Sequence, residues 1–258
     1  MICPPAYIDL ANRMADQASD IVRSYFRQKF DIEDKPDSSP VTIADRQSEA
    51  AMRALINKEA PDHGILGEEY GPENTDADWV WVLDPIDGTK AFITGNPSFG
   101  TLIALLHKGK PVLGIIDQAI RRERWLGVAG VATTLNGEKI ATRPCSDLGK
   151  AALYATTPEM FKGDEIAAWG RLKSSVKLVR YGADCYAAGL LALGFCDLMI
   201  EASLQPYDYL ALVPVIEGAG GIITDWEGQA LGLKSGGRIA AAGSAALHGA
   251  ALAKLSSL

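Results

Sequence analysis

The 258-residue chain has little of what many metal and redox proteins depend on. Its three histidines, His63, His107 and His248, are far apart and form no constellation. The four cysteines, Cys3, Cys145, Cys185 and Cys196, contain no C-x-x-C pair. No secretion signal is visible in MICPPAYIDLANRMADQ, so the cysteines read as buried thiols rather than as a disulfide framework. Long hydrophobic runs are missing as well. The Ala-rich tail after Arg238 is broken by Gly243, His248 and Gly249, and no segment reaches membrane-spanning length. Nor is there a basic excess. Lys plus Arg number 25 against 32 Asp plus Glu, giving a formal charge of -7. That balance disfavours a protein that binds nucleic acid by neutralising its backbone. The expectation is a cytoplasmic protein with neither a membrane nor a nucleic-acid partner.

What remains is ordinary globular composition, 48% hydrophobic and 22% charged, with ample chain to bury a core. Residues 5–30 and about 44–58 carry helical apolar spacing, the second stopping before Pro61. A Pro- and Ser-rich connection, Lys35 to Pro40, separates them. Strand patterns follow at WVWVLD (79–84), FGTLIALL (99–106), PVLGIID (111–117) and RERWLGVA (122–129), and Asn136-Gly137 marks a tight hairpin. Beyond residue 148 strands and helices alternate. AALYAT, VKLVRYG, DLMIEA, GIITDW and RIAAAG read as strands. Helices are expected around 158–172, over DCYAAGLLALGF, over YDYLALVPVIEGAG and at the C-terminus. The fold class is α/β, with an α+β first half and an α/β second half. Two tightly joined subdomains are expected, 1–145 and 146–258.

The densest chemical signal is Asp84-Pro85-Ile86-Asp87-Gly88-Thr89, which closes the apolar strand WVWVL. Two carboxylates flanking a proline turn can converge on adjacent cations. Gly88 permits close approach of backbone to a ligand, and Thr89 offers a hydroxyl. Gly67-Glu68-Glu69 supplies two more acids after the short apolar piece HGIL, and Asp208 lies in Gln205-Pro206-Tyr207-Asp208 at an expected helix start. Taken singly, an Asp-Gly turn and a Glu pair are common surface features, and Asp208 reads as a helix cap. Hard oxygen ligands without a histidine cluster favour Mg²⁺ over zinc. Asp84 and Asp87 do not have D-x-D-x-T spacing, no Cys has Arg six residues on, and no P-loop occurs. An aspartyl nucleophile of that spacing, a cysteine nucleophile loop and a nucleotide-binding P-loop are thereby excluded.

Together SPVTIAD (39–45), GEE (67–69), LDPIDGT (83–89) and YDYLALVPVIEGAGGIITDWEG (207–228) resemble the inositol-monophosphatase superfamily over nearly the whole chain. The resemblance implies a layered αβαβα sandwich of the inositol-monophosphatase/fructose-bisphosphatase type, lithium sensitivity and a homodimer. It implies two or three Mg²⁺ per site, with Glu68, Asp84 and the Ile86 carbonyl on one ion and Asp84, Asp87 and Asp208 on the second. Asp45 and Thr89, assisted by Glu68, would orient the attacking water, and Gly88 and Thr89 would offer amides to the phosphate of a small phosphorylated substrate. Tyr207 stands where many relatives carry Trp. The run DGTKAFITGNPSFGTLIAL (87–105) and the Pro-Tyr-Asp ending look most like the histidinol-phosphate phosphatase branch of histidine biosynthesis. Asp184 and Glu201 match positions that contact the leaving alcohol, and Thr94 and Asn96 lie on a loop that could close over it. Lys35 could steer phosphate. The alternatives are an inositol monophosphatase, a broad-specificity sugar-phosphate or 3'-nucleotide phosphatase and, outside the class, a catalytically silent metal-stabilised binding protein.

Overall fold

The computed structural model describes residues 3–29, 33–34 and 40–256. The connection bearing Lys35 therefore lies outside the described residues. Helices α1 (Pro5–Tyr25) and α2 (Ile43–Glu59) flank a short ladder of β1 (Glu33–Asp34) and β2 (Pro40–Val41). An eight-stranded sheet follows, built from β3 (Gly64–Gly67), β4 (Gly71–Glu73), β5 (Trp79–Asp87), β6 (Gly100–His107), β7 (Lys110–Gln118), β8 (Glu123–Val128), β9 (Val131–Leu135) and β10 (Glu138–Lys139). Its spatial order is β10-β9-β8-β7-β6-β5-β3-β4. Only β3 and β5 pair in parallel; the other pairs are antiparallel. The helix α3 (Thr89–Ile93) interrupts the chain between β5 and β6.

A second sheet contains β11 (Ala152–Ala155), β12 (Leu178–Tyr181), β13 (Leu198–Glu201), β14 (Ile222–Asp225) and β15 (Ile239–Ala242), in the order β12-β11-β13-β15-β14. Its helices are α4 (Asp164–Lys173), α5 (Tyr186–Ala192), α6 (Pro206–Tyr209), α7 (Leu212–Gly218) and α8 (Ala245–Ser256). The layers run α1/α2, first sheet, α5–α7, second sheet, α4/α8. This is the expected αβαβα sandwich.

Strand β5 explains the layering. Both its faces are buried, so it reads as an apolar run rather than an alternation. Val80 and Val82 face the middle helices, in one cluster with Leu102, Leu212 and Ile216. Trp81 and Leu83 face the outer helices, with Met14, Met52 and Ile56. The third core, containing Leu153, Trp169, Ile200 and Leu247, lies between the second sheet and α4/α8.

Three expected helices end or break differently. The first stops at Tyr25, where Arg27 takes a left-handed φ of 58°. The stretch from Pro158 is a short 3-10 turn, Pro158–Met160, before α4 begins at Asp164. The stretch from Tyr207 divides into α6 and α7 at Leu210-Ala211. Pro214 has no N–H to give the Leu210 carbonyl, which removes a helical bond at that break. Here the sheet also presses closely: a Cβ on Gly114 would lie 2.0 Å from the Ala211 carbonyl oxygen, and one on Gly127 2.3 Å from Pro214. Among the described residues, no helix is long and apolar enough to cross a membrane.

The histidines have structural roles. His63 Nδ1 accepts the Trp81 indole N–H at 3.1 Å, and His248 shares a bond of 3.0 Å with Thr224. His107 packs 4.2 Å from Trp79 between ring centroids. All four cysteines are free, and Cys3, Cys185 and Cys196 are buried.

Candidate active site

The site forms where both sheets present the carboxyl ends of parallel strands. In the first, Gly67 on β3 is in register with Leu83 on β5, and the Glu68 amide continues the ladder to the Leu83 carbonyl at 3.1 Å. Glu68 and Asp84 thus leave adjacent strands at the same level. A regular strand would send Asp84 and Asp87 to opposite faces, because their spacing is odd. Strand β5 avoids this with an irregularity: Asp84 pairs with Leu102 but Asp87 with Gly100, so β5 holds one extra residue. The Thr101 hydroxyl secures the bulge by donating to the Pro85 carbonyl at 2.8 Å. Carboxylate oxygens of Asp84, Asp87 and Asp208 consequently lie within 4.8 Å of one another.

Two of the acids occupy the same place on different helices. Asp45 is the third residue of α2, where its Oδ2 accepts the Thr42 amide at 2.8 Å and hydroxyl at 2.5 Å in a capping box. Asp208 holds the equivalent position on α6, accepting the Gln205 amide at 2.7 Å. Asp45 Oδ1 is buried and has no hydrogen-bond partner. Thr89 donates its hydroxyl to the Ile86 carbonyl at 3.0 Å, so its oxygen is left as an acceptor. Gly88, with φ 86°, caps α3 in a left-handed conformation that a side chain would strain.

The second sheet contributes its own acids. Asp184 follows β12 with φ 47° and abuts Gly88, where an added Cβ would lie 2.9 Å from Asp184 Cγ. The next amide, Cys185 N–H, donates to Asp87 at 2.6 Å. Glu201, at the end of β13, is 1% exposed. Its Oε1 accepts from the Thr156 amide and hydroxyl at 2.9 and 3.2 Å, while Oε2 is buried without a partner. Thr94 and Asn96 are exposed at the far end of α3 from Gly88. The Thr94 hydroxyl is spent on the Lys90 carbonyl at 2.8 Å.

This concentration of like charge is costly. Burial pushes the carboxyls of Asp84 and Asp87 well above the usual range; the charges of Glu68, Asp87 and Asp208 add to the shift at Asp84, and those of Asp184 and Asp208 add to it at Asp87. Burial lifts Asp45 to about 6 against the hydrogen bonds from Thr42, with Glu68 adding to the rise. Burial also lifts Asp184 to about 6, opposed by Lys90. Glu201 is raised well above its ordinary value, again chiefly by burial. An all-oxygen cluster of Asp84, Asp87 and Asp208, with the pKa values of Asp84 and Asp87 raised by burial and by neighbouring charge, is what a hard divalent cation would stabilise. The residues fit Mg²⁺.

Sequence reading named the acids but missed what holds them. The Cys185 amide on Asp87 is a backbone group, and Glu49, buried on α2 beneath the Glu68 turn, stands outside every motif. Its only sequence signal is its place one helical turn after Asp45.

Fold and acidic cluster together are those of a family of divalent-metal-dependent phosphatases. The chain belongs to the inositol monophosphatase family, whose model matches residues 6–258. It is 58% identical over 222 residues to the bifunctional phosphatase IMPL2, chloroplastic, of Arabidopsis thaliana, covering 85% of this chain but only 64% of that relative. It is 32% identical over 256 residues to the histidinol-phosphatase of Mycobacterium tuberculosis, covering 95% and 96% of the two chains. An inositol monophosphatase structure from Zymomonas mobilis superimposes with a TM-score of 0.90 at 48% identity, covering 97% of each chain.

Proposed function

We propose that the protein is a Mg²⁺-dependent phosphomonoesterase that hydrolyses histidinol phosphate to L-histidinol and phosphate. Glu68, Asp84 and the Ile86 carbonyl would hold one ion, and Asp84, Asp87 and Asp208 a second. When bound, such ions neutralise phosphate charge and acidify the attacking water. The chain's own groups then orient that water. Thr89, its proton committed to Ile86, accepts one water hydrogen, and the unpaired Asp45 Oδ1 accepts the other. Burial holds the Asp45 carboxyl above its ordinary value, which keeps it basic enough to take the proton. The amides of Gly88 and Thr89 face the phosphate. As the water oxygen bonds to phosphorus, the ester P–O bond breaks, the leaving oxygen takes a proton from solvent water to depart as the alcohol, and Asp45 returns its proton to solvent.

The observation that carries the substrate choice is Glu201, a buried carboxylate with Oε2 unpaired and with Asp87 and Asp184 near enough to raise its pKa. An ammonium or imidazolium on the leaving group supplies the missing partner for Glu201 and Asp184. A polyol supplies only hydroxyls and gives these raised carboxyls no cation to favour their ionised form. The relative named histidinol-phosphatase supports this reading. A broader or inositol-directed specificity is the second reading, favoured by the 48% identity to the Zymomonas mobilis inositol monophosphatase. Replacing Glu201 with Gln separates them. The expected result is a KM for histidinol phosphate raised on the order of tenfold or more, with p-nitrophenyl phosphate little changed. Equal effects on both substrates would make Glu201 a structural residue.

A further inference from the structure

Helix α2 carries a second acid toward the site. Glu49 lies one turn beyond Asp45 and is fully buried, at 0% exposure. Its Oε2 accepts the Glu69 amide at 2.7 Å, and its Oε1 accepts the Tyr70 amide at 3.2 Å and Arg53 Nε at 2.8 Å. Arg53, a further turn along, donates to the Gly71 carbonyl and lies 5.9 Å over the Tyr70 ring. The strand end is cut to fit this carboxylate, since a Cβ on Gly67 would sit 1.9 Å from Glu49 Oε1. The turn after β3 is thus gripped from two sides. Strand β5 holds the Glu68 amide through Leu83, and Glu49 holds the next two amides.

We propose that Glu49, backed by Arg53, is a positioning residue that clamps the turn bearing Glu68. The inference rests on the reading of Glu68 as a metal ligand. A buried ion pair is poor value as a source of stability, because desolvation cancels most of its attraction. Its geometry does something else. Glu68 stands between the amide that β5 holds through Leu83 and the two amides that Glu49 holds, so its backbone is fixed on both sides. A turn without the clamp would be free to shift, and binding of the ion that Glu68 would hold would have to order the turn first. Glu49 therefore sets metal affinity by preorganising the turn, while the chemistry after loading is left to the groups that touch substrate.

The test uses the full chain with Glu49→Gln, Glu68→Gln and, as a control, Asp197→Asn. Asp197, just before β13, is an equally buried acid paired with Arg143 at 2.6 Å, outside the site. Mg²⁺ binding to the metal-free proteins is measured by calorimetry, alongside hydrogen exchange of the 69 and 70 amides, melting temperature and turnover at saturating Mg²⁺. Glu49→Gln should weaken Mg²⁺ binding roughly ten- to a hundredfold and speed exchange of those two amides, with saturated turnover within about threefold of wild type. Asp197→Asn should lower the melting temperature and leave Mg²⁺ affinity unchanged. If Glu49→Gln behaves like the control, the clamp is overturned. If Glu68→Gln binds Mg²⁺ normally, the ligand assignment beneath it fails first. Should Glu49→Gln not fold, Arg53→Lys keeps the charge but loses the fork. It should weaken Mg²⁺ binding severalfold, and unchanged affinity would equally overturn the clamp.

Discussion

Asp87 reaches the metal-ligand cluster for reasons that belong to single residues. Its odd spacing from Asp84 would separate the two carboxylates on a regular strand; the extra residue opposite β6 brings them together, and the Cys185 amide fixes the side chain. Replacing Asp87 with Asn preserves size and that hydrogen bond but removes a charge from the cluster. The account expects turnover to fall on the order of 10²–10³-fold, with near-wild-type circular dichroism. The acids themselves were legible in the sequence, because D-x-x-D-G-T, GEE and the Pro-Tyr-Asp turn form a set. The devices that aim them were not. A backbone amide such as that of Cys185 has no side-chain signature, and the bulge depends on what β6 places opposite.

At the scale of elements, Asp208 depends on how closely the middle helices approach the first sheet. Gly114 on β7 faces the Ala211 carbonyl at the break between α6 and α7, a few residues beyond Asp208. A methyl group there would meet that oxygen at 2.0 Å, so helix or strand must move. Gly114→Ala is expected to cost about 1–3 kcal/mol in chemical denaturation and to reduce Mg²⁺-dependent turnover by shifting α6. Unchanged stability and activity would show that the helix has room to move. Sequence patterning found β6 through β8 within one residue at each end and β5 at its start, because continuous apolar runs are strong signals for strands buried on both faces, whereas Pro85 to Asp87 extend β5 beyond its apolar run. It merged α6 with α7, since apolar spacing runs unbroken from Tyr207 to Ile216 while the consequence of Pro214 falls one turn earlier. It read through Gly163, the start of α4, for a similar reason: the left-handed φ of 56° there appears in coordinates and not in hydrophobic rhythm.

For the whole molecule, the charge of -7 turns out to be unevenly spent. Several acids converge between the sheets, where burial raises their pKa values. An acid whose folded pKa is raised subtracts stability as pH climbs from its unfolded value through its folded one. For Asp45 and Asp184 that window runs from 3.8 to about 6, and the proposed ligands Asp84 and Asp87 are likewise raised well above 3.8. Bound Mg²⁺ favours the ionised forms and offsets the loss. The melting temperature of the loaded enzyme should therefore exceed that of the chelator-treated enzyme, and the gap should widen from pH 5 to pH 8. A gap independent of pH would mean that the raised carboxyls of Asp84 and Asp87 are not the metal's ligands. The central claim, a Mg²⁺-dependent phosphomonoesterase selecting a cationic leaving group, is tested most directly by phosphate release with and without Mg²⁺. The panel comprises histidinol phosphate, myo-inositol phosphate, fructose bisphosphate and 3'-phosphoadenosine 5'-phosphate. The account predicts Mg²⁺-dependent release with the highest kcat/KM for histidinol phosphate; a higher kcat/KM for any of the other three, or release that persists undiminished without divalent metal, would contradict it.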